Sequence, residues 1–201
     1  MSWLVSASRY IISLDGQAVV DEQEIGGLIK DQLKKSRVVQ KLFELFALPL
    51  DELDTLDIEI LPLKKKYALT DEKKMKLNKS LFDKVDFFKD YMFVPVHELV
   101  HFVARKRQKA TGDANLPKPF IPTKPTESSE SYFDDDEESM GFMLSVAYEL
   151  ENNKPIQHIW KHIYPKVEWH FHDESDAEKF FKRIILKARR LLNAQQSPFK
   201  S

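Results

Sequence analysis

The residues best placed to do chemistry lie in the stretch Pro95-Val96-His97-Glu98-Leu99-Val100-His101. They spell His-Glu-x-x-His, the helix-borne spacing for a zinc ion. Positions i and i+4 of a helix lie one above the other on one face. His97 and His101 can therefore direct two imidazoles at a single cation. Glu98 sits about 100° further round the helix. It can reach a water beside that cation without being a ligand, and take its proton. A catalytic zinc has three protein ligands and leaves a fourth position to water. One more ligand must come from elsewhere in the chain.

The element that has to position these groups is legible around them. Val96, Leu99, Val100 and Val103 follow i, i+3, i+4, i+7 and predict an apolar stripe facing a core. Pro95 suits a first helical turn. Arg105, Lys106, Arg107 and Lys109 crowd the far end, where cations favour the helix dipole. Gly112 supplies a stop.

With that helix in place, the sequence resembles the zincin metallopeptidases over residues 68–150. The segment Tyr67-Ala68-Leu69-Thr70-Asp71-Glu72-Lys73-Lys74-Met75-Lys76-Leu77-Asn78 looks like the edge strand and turn that precede the active helix in small zincins. Residues 81–92 would then be the intervening helix or loop. A third His six residues beyond His101 would mark a metzincin, but that position is Arg107, and Ala104 stands where Gly is expected. Gluzincins instead take a Glu from a following helix, and the resemblance makes Glu138 the candidate third ligand.

Gly141 and Ser145 lie at i+3 and i+7 from Glu138, on its face. Small residues there would let this helix approach the His97/His101 helix closely. Gly inside a helix costs roughly 0.5–1 kcal/mol relative to Ala, which points to a packing reason. Met140, Leu144 and Ala147 supply neighbouring apolar packing. Glu137 is the alternative ligand; Asp136 and Glu130 are weaker ones. Phe142 occupies the position where a gluzincin carries a further carboxylate, so the orienting partner of one His has no assignment.

Composition bounds the rest. The chain has 201 residues, 42% hydrophobic and 31% charged, with a net charge of −1 and no cysteine. That fits a single domain. Near-neutral charge supplies no global pull towards nucleic acid or anionic membrane. Without cysteine, neither disulfides nor a Cys-ligated zinc site can hold the fold. The N-terminal residues lack the charged region and apolar run of a signal peptide. No segment approaches the ~20 apolar residues of a membrane span. These features lead to the expectation of a soluble, cytoplasmic protein.

Along the chain, residues 10–14 and 18–20 flank Asp15-Gly16 and suggest a hairpin. Asp21 and Glu24 resemble a capping box for a helix reaching about Ser36. A second helix, carrying Val38, Leu42, Leu45 and Phe46, should end by Pro49. Residues 56–61 alternate apolar and acidic side chains, as a half-buried strand does. Residues 112–133 combine Pro117, Pro119, Pro122 and Pro125 with acidic residues, and read as a loop between the two candidate metal-binding helices. The acidic run Glu127, Glu130, Asp134, Asp135, Asp136, Glu137 and Glu138 leads into a helix over 135–150, a placement its N-terminus favours.

Further on, His158 and His162 stand at i and i+4 on a short helix. They are open to two readings, a second metal pair or a half-buried face beside Trp160. Val167, Trp169 and Phe171 alternate with Glu168, His170 and His172 and suggest an extended segment. Ser175 and Glu178 form a capping box for an amphipathic helix over 177–192, whose Lys182, Arg183, Lys187, Arg189 and Arg190 read as a solvated face. Residues 196–201 read as a loose tail.

The expectation is an α+β, mostly helical, minimal zincin-like domain over 1–195, its small sheet packed on the His-Glu-x-x-His helix. The resemblance implies a Zn2+-dependent metallopeptidase acting on a protein or peptide. His97, His101 and Glu138 would be the ligands and Glu98 the general base. A transition-state donor would come from Tyr132, Tyr148, His170 or His172. The competing expectation is a non-catalytic zinc-binding interaction protein, or a toxin or effector module, on the same scaffold. A structural zinc would be closed by a fourth ligand such as His170 or His172.

Overall fold

Every residue from 139 to 149 is buried. A helix apolar all round must be surrounded by other elements, and this one, α5 (Asp136–Glu151), is the centre of the molecule. The computed structural model describes residues 11–12, 18–19, 22–64, 66–82, 86–112 and 136–196. On one side α5 packs against α4 (Phe93–Thr111), on the other against α8 (Glu174–Gln196). Most of the other described elements pack round this three-helix stack.

Two helices precede the sheet. They are α1 (Glu22–Lys35) and α2 (Arg37–Leu45), which share Ser36 as their junction. Ser36 Oγ accepts from Val39 N at 3.3 Å and so caps α2. The Glu151 carboxylate, at the end of α5, accepts from Arg37 N at 2.9 Å and from Ser36 Oγ. One acidic side chain thus satisfies orphan donors at the start of α2 and ties it to the central helix.

The main sheet has the order β3-β5-β4, with β3 (Asp57–Leu61) parallel to β5 (Lys74–Asn78) and β4 (Ala68–Thr70) antiparallel to β5. Ile58 pairs with Met75 and Ile60 with Leu77, and all four side chains are buried on one face. The other face carries charge: Lys74 bridges Glu59 and Asp57 across the strands. The edge strand β4 packs on α4, and Arg105 donates to the Thr70 carbonyl there. The small sheet against the His-Glu-x-x-His helix is therefore present, and the molecule is α+β and mostly helical. A separate antiparallel pair joins β1 (Ile11–Ile12) to β2 (Ala18–Val19). The expected Asp15-Gly16 turn lies outside the described residues.

α4 ends where its sequence says it should. Gly112 takes a left-handed φ of 72°, and its N–H returns to Gln108 O at 2.8 Å. Val96, Leu99, Val100 and Val103 are all fully buried. The Pro-rich segment over 113–135 lies outside the described residues, as do Glu130, Tyr132 and the tail beyond 196.

Two local expectations are corrected. Residues 167–172 are not extended: α7 (Tyr164–Glu168) runs through Val167 and ends in a turn. Pro165 in its first turn favours helix, and Trp169 is left 80% exposed rather than sharing a buried face with Val167. α8 also begins earlier than its capping box suggested. Asp173, not Ser175, supplies the cap, accepting from Asp176 N at 3.2 Å. Among the described residues, no helix is long and apolar enough to cross a membrane.

Candidate metal centre

His97 and His101 stand one turn apart on α4, their ring centroids 5.5 Å from each other. Glu138 comes from the first turns of α5. Its Oε2 lies 3.0 Å from His97 Nε2 and its Oε1 3.2 Å from His101 Nε2. One donor atom from each of the three residues falls within 4.8 Å of the others. Ligand atoms around a tetrahedral zinc, with bonds of about 2.0–2.2 Å, stand roughly 3.3–3.6 Å apart. The separations seen are just inside that figure. Two imidazoles and a carboxylate are also the donor types such an ion takes, so these residues fit it. The three side chains are 13–15% exposed, recessed yet reachable from solvent.

The helix contact explains why the carboxylate can reach. A Cβ built on Gly141 would sit 2.7 Å from His97 Nδ1 and Cε1. Only a residue without a side chain leaves room for that imidazole. One turn on, Ser145 is fully buried and its Oγ lies 3.0 Å from Phe93 O and 2.9 Å from Gly141 O. The small residues at i+3 and i+7 from Glu138 are thus the contact face between α5 and α4. Phe142 meets the His97 ring edge-on, with centroids 4.7 Å apart.

Glu137 has a place that the sequence left open. Its Oε2 accepts from His101 Nδ1 at 2.9 Å, on the opposite side of the ring from Glu138. It is not part of the three-residue donor cluster. A carboxylate on the far nitrogen fixes the tautomer and aims the ring. In that acidic run Glu138 meets the inner nitrogens of the two rings, and the neighbouring acid, about 100° round the helix, meets the other nitrogen of His101. The adjacent pair Glu137-Glu138 was the only available signal.

Electrostatics follow from this geometry. Burial acts to lower the His101 pKa, and the hydrogen bonds to Glu137 and Glu138 outweigh it, raising the group from 6.5 to about 10. Glu98 adds to that field from the same helix. It is half-buried, next to His97 in the chain.

Of the candidate transition-state donors, Tyr132 lies outside the described residues and Tyr148 stands away from the histidine pair. Tyr148 lies ten residues beyond Glu138, about 15 Å along α5 at 1.5 Å per residue. It lines a polar recess with Gln32, Ser36, Arg37 and Glu151. Burial raises its pKa to about 12. That recess sits at the opposite end of α5 from the histidine pair. His170 and His172 follow α7, and neither belongs to the His97–His101–Glu138 cluster. Comparison with known proteins finds no matching family model, no similar curated protein and no similar solved structure.

Proposed function

We propose that this protein is a zinc-dependent metallopeptidase with His97, His101 and Glu138 as metal ligands and Glu98 as general base. The observation that carries the reading is the convergence of donor atoms from α4 and α5 within 4.8 Å. A bound zinc would act as a Lewis acid, acidifying water and polarising a carbonyl oxygen. The chain's own groups do the rest. Glu98 takes the proton of the attacking water on a carboxylate oxygen and hands it to the departing amine. Glu137 holds the His101 ring through Nδ1. Gly141 keeps the space that the His97 ring occupies.

The peptide character of the substrate is supported by β4. It is the edge strand of its sheet and packs on the histidine-bearing helix. The outer edge of such a strand offers main-chain donors and acceptors that an extended peptide can use. Arg105, one turn past His101, anchors the Thr70 end of that edge. The cysteine-free composition suits a cytoplasmic setting.

The test is Glu98→Gln. Zinc content should stay at the wild-type level while peptide hydrolysis falls by about 10²–10⁴-fold, the size of a lost general base. Hydrolysis at the wild-type rate with zinc fully bound would remove Glu98 from the mechanism. A second reading, zinc bound without catalysis, is favoured by the half-buried Glu137 and Glu138 contacts to His101, which would brace α4 against α5. It predicts full zinc content and no hydrolysis of any unfolded protein substrate.

A further inference from the structure

The other histidine pair also meets acids, at the opposite end of α5. His158 and His162 lie on α6 (Ile156–His162), with ring centroids 4.3 Å apart. Asp90, the last residue of α3 (Phe87–Asp90), brings a carboxylate to them. One donor atom each from Asp90, His158 and His162 falls within 4.8 Å of the others. A fourth group faces the cluster from the central helix. Glu149 is 1% exposed, and its Oε2 lies 3.3 Å from His158 Nε2. Those two atoms are fully buried, and neither makes a hydrogen bond. A buried carboxylate and a buried imidazole nitrogen left without partners are costly. Lys154 lies nearby, but its Nζ donates to the Lys89 carbonyl at 2.6 Å.

We propose that Asp90, His158 and His162 form a second metal site, for a divalent transition ion such as zinc, with the buried Glu149 set against the His158 ring. The donor set is two imidazoles and a carboxylate, hard enough for a dication and nitrogen-rich enough to prefer zinc over magnesium or calcium. Glu149, its Oε2 3.3 Å from His158 Nε2, adds a second negative charge beside the ion and would hold that ring in place. Three protein donors leave the fourth position of a tetrahedral shell to water. Eleven residues, about 16 Å of helix rise, separate Glu149 from Glu138 on α5. The site is therefore distinct from the first and does not depend on it. Its metal would clasp α3, which leads directly into α4, to α6.

The test uses the full chain, stripped of metal, loaded with Zn2+ and dialysed, with zinc per chain read by elemental analysis. His97→Ala/His101→Ala removes the first site and should leave one zinc. Adding Asp90→Asn/His162→Ala should leave none. The half-exposed Asp90 also allows a milder variant: Asp90→Asn alone, in the first-site knockout, should weaken zinc binding at least tenfold with an unchanged circular dichroism spectrum. Co2+ in the first-site knockout should give the visible absorption of a four-coordinate nitrogen–oxygen site. Zinc that survives the loss of His97 and His101 but not of Asp90 and His162 sustains this site; a wild-type chain that holds only that one zinc sinks the first. A first-site knockout that binds no zinc, or whose zinc affinity ignores Asp90→Asn, overturns the proposal and leaves a metal-free histidine–carboxylate cluster.

Discussion

Gly141 is where a single missing methyl decides whether the candidate centre can exist. Alanine would improve the intrinsic helix propensity of α5 by about 1 kcal/mol. Its Cβ would also stand 2.7 Å from the His97 ring. The ring is the far end of a side chain and can swing away, so the protein tolerates the change while His97 loses its aim. Gly141→Ala should therefore keep or raise Tm and lower zinc affinity by tenfold or more, read by competition with a chelator dye. Unchanged affinity would mean that His97 does not bind metal from the orientation described. Glu137 and Glu138 separate by the same measurement. An orienting carboxylate contributes roughly 10–100-fold to affinity. Glu137→Gln should fall in that range, whereas Glu138→Ala should bring zinc below one equivalent per chain. Equal losses from both would argue against giving them different roles.

At the scale of elements, α5 does three things along its length. Its first turns carry Glu137 and Glu138, its middle packs against α4 through Gly141 and Ser145, and its end caps α2 through Glu151. The capping contact is remote from the histidine pair and should be separable from it. Glu151→Ala leaves Arg37 N and the Ser36 hydroxyl without their acceptor. Losing a cap costs typically ~1 kcal/mol and at most about 2. Urea denaturation should show that loss at an unchanged m-value, with zinc affinity at the first site unaltered. A change in affinity would mean that α5 transmits movement from one end to the other.

For the whole molecule the informative variable is pH in the absence of metal. His101 is held at about 10 in the folded chain, against about 6.5 unfolded. A group whose pKa is raised by folding stabilises the fold below its unfolded value. That contribution shrinks as pH rises from about 6.5 towards about 10. Apo-protein should thus lose stability across this window, and His101→Ala should remove that part of the slope. Zinc takes imidazole in its neutral form, so its binding displaces a proton and should flatten the profile. Both are measurable by thermal melts at matched ionic strength. A slope that His101→Ala leaves intact would place its origin in other groups.

The sequence alone determined the features set by local periodicity. The apolar stripe of α4, its stop at Gly112, the alternating strand over 57–61 and the helical course of α5 all follow from spacing and from which residues tolerate a left-handed φ or a missing side chain. It also singled out Gly141 and Ser145, because small residues on one helix face have few reasons other than close packing. Residues 167–172 were misjudged because alternation over so short a run fits a helix end as well, and Pro165 with the packing of Val167 decided between them. What only the tertiary structure decided is which groups meet across elements. The separate partners of Glu137 and Glu138 on His101, and the meeting of Asp90 and Glu149 with His158 and His162, join residues far apart in the chain. No local pattern encodes such distances; they are fixed by how three helices share one buried core.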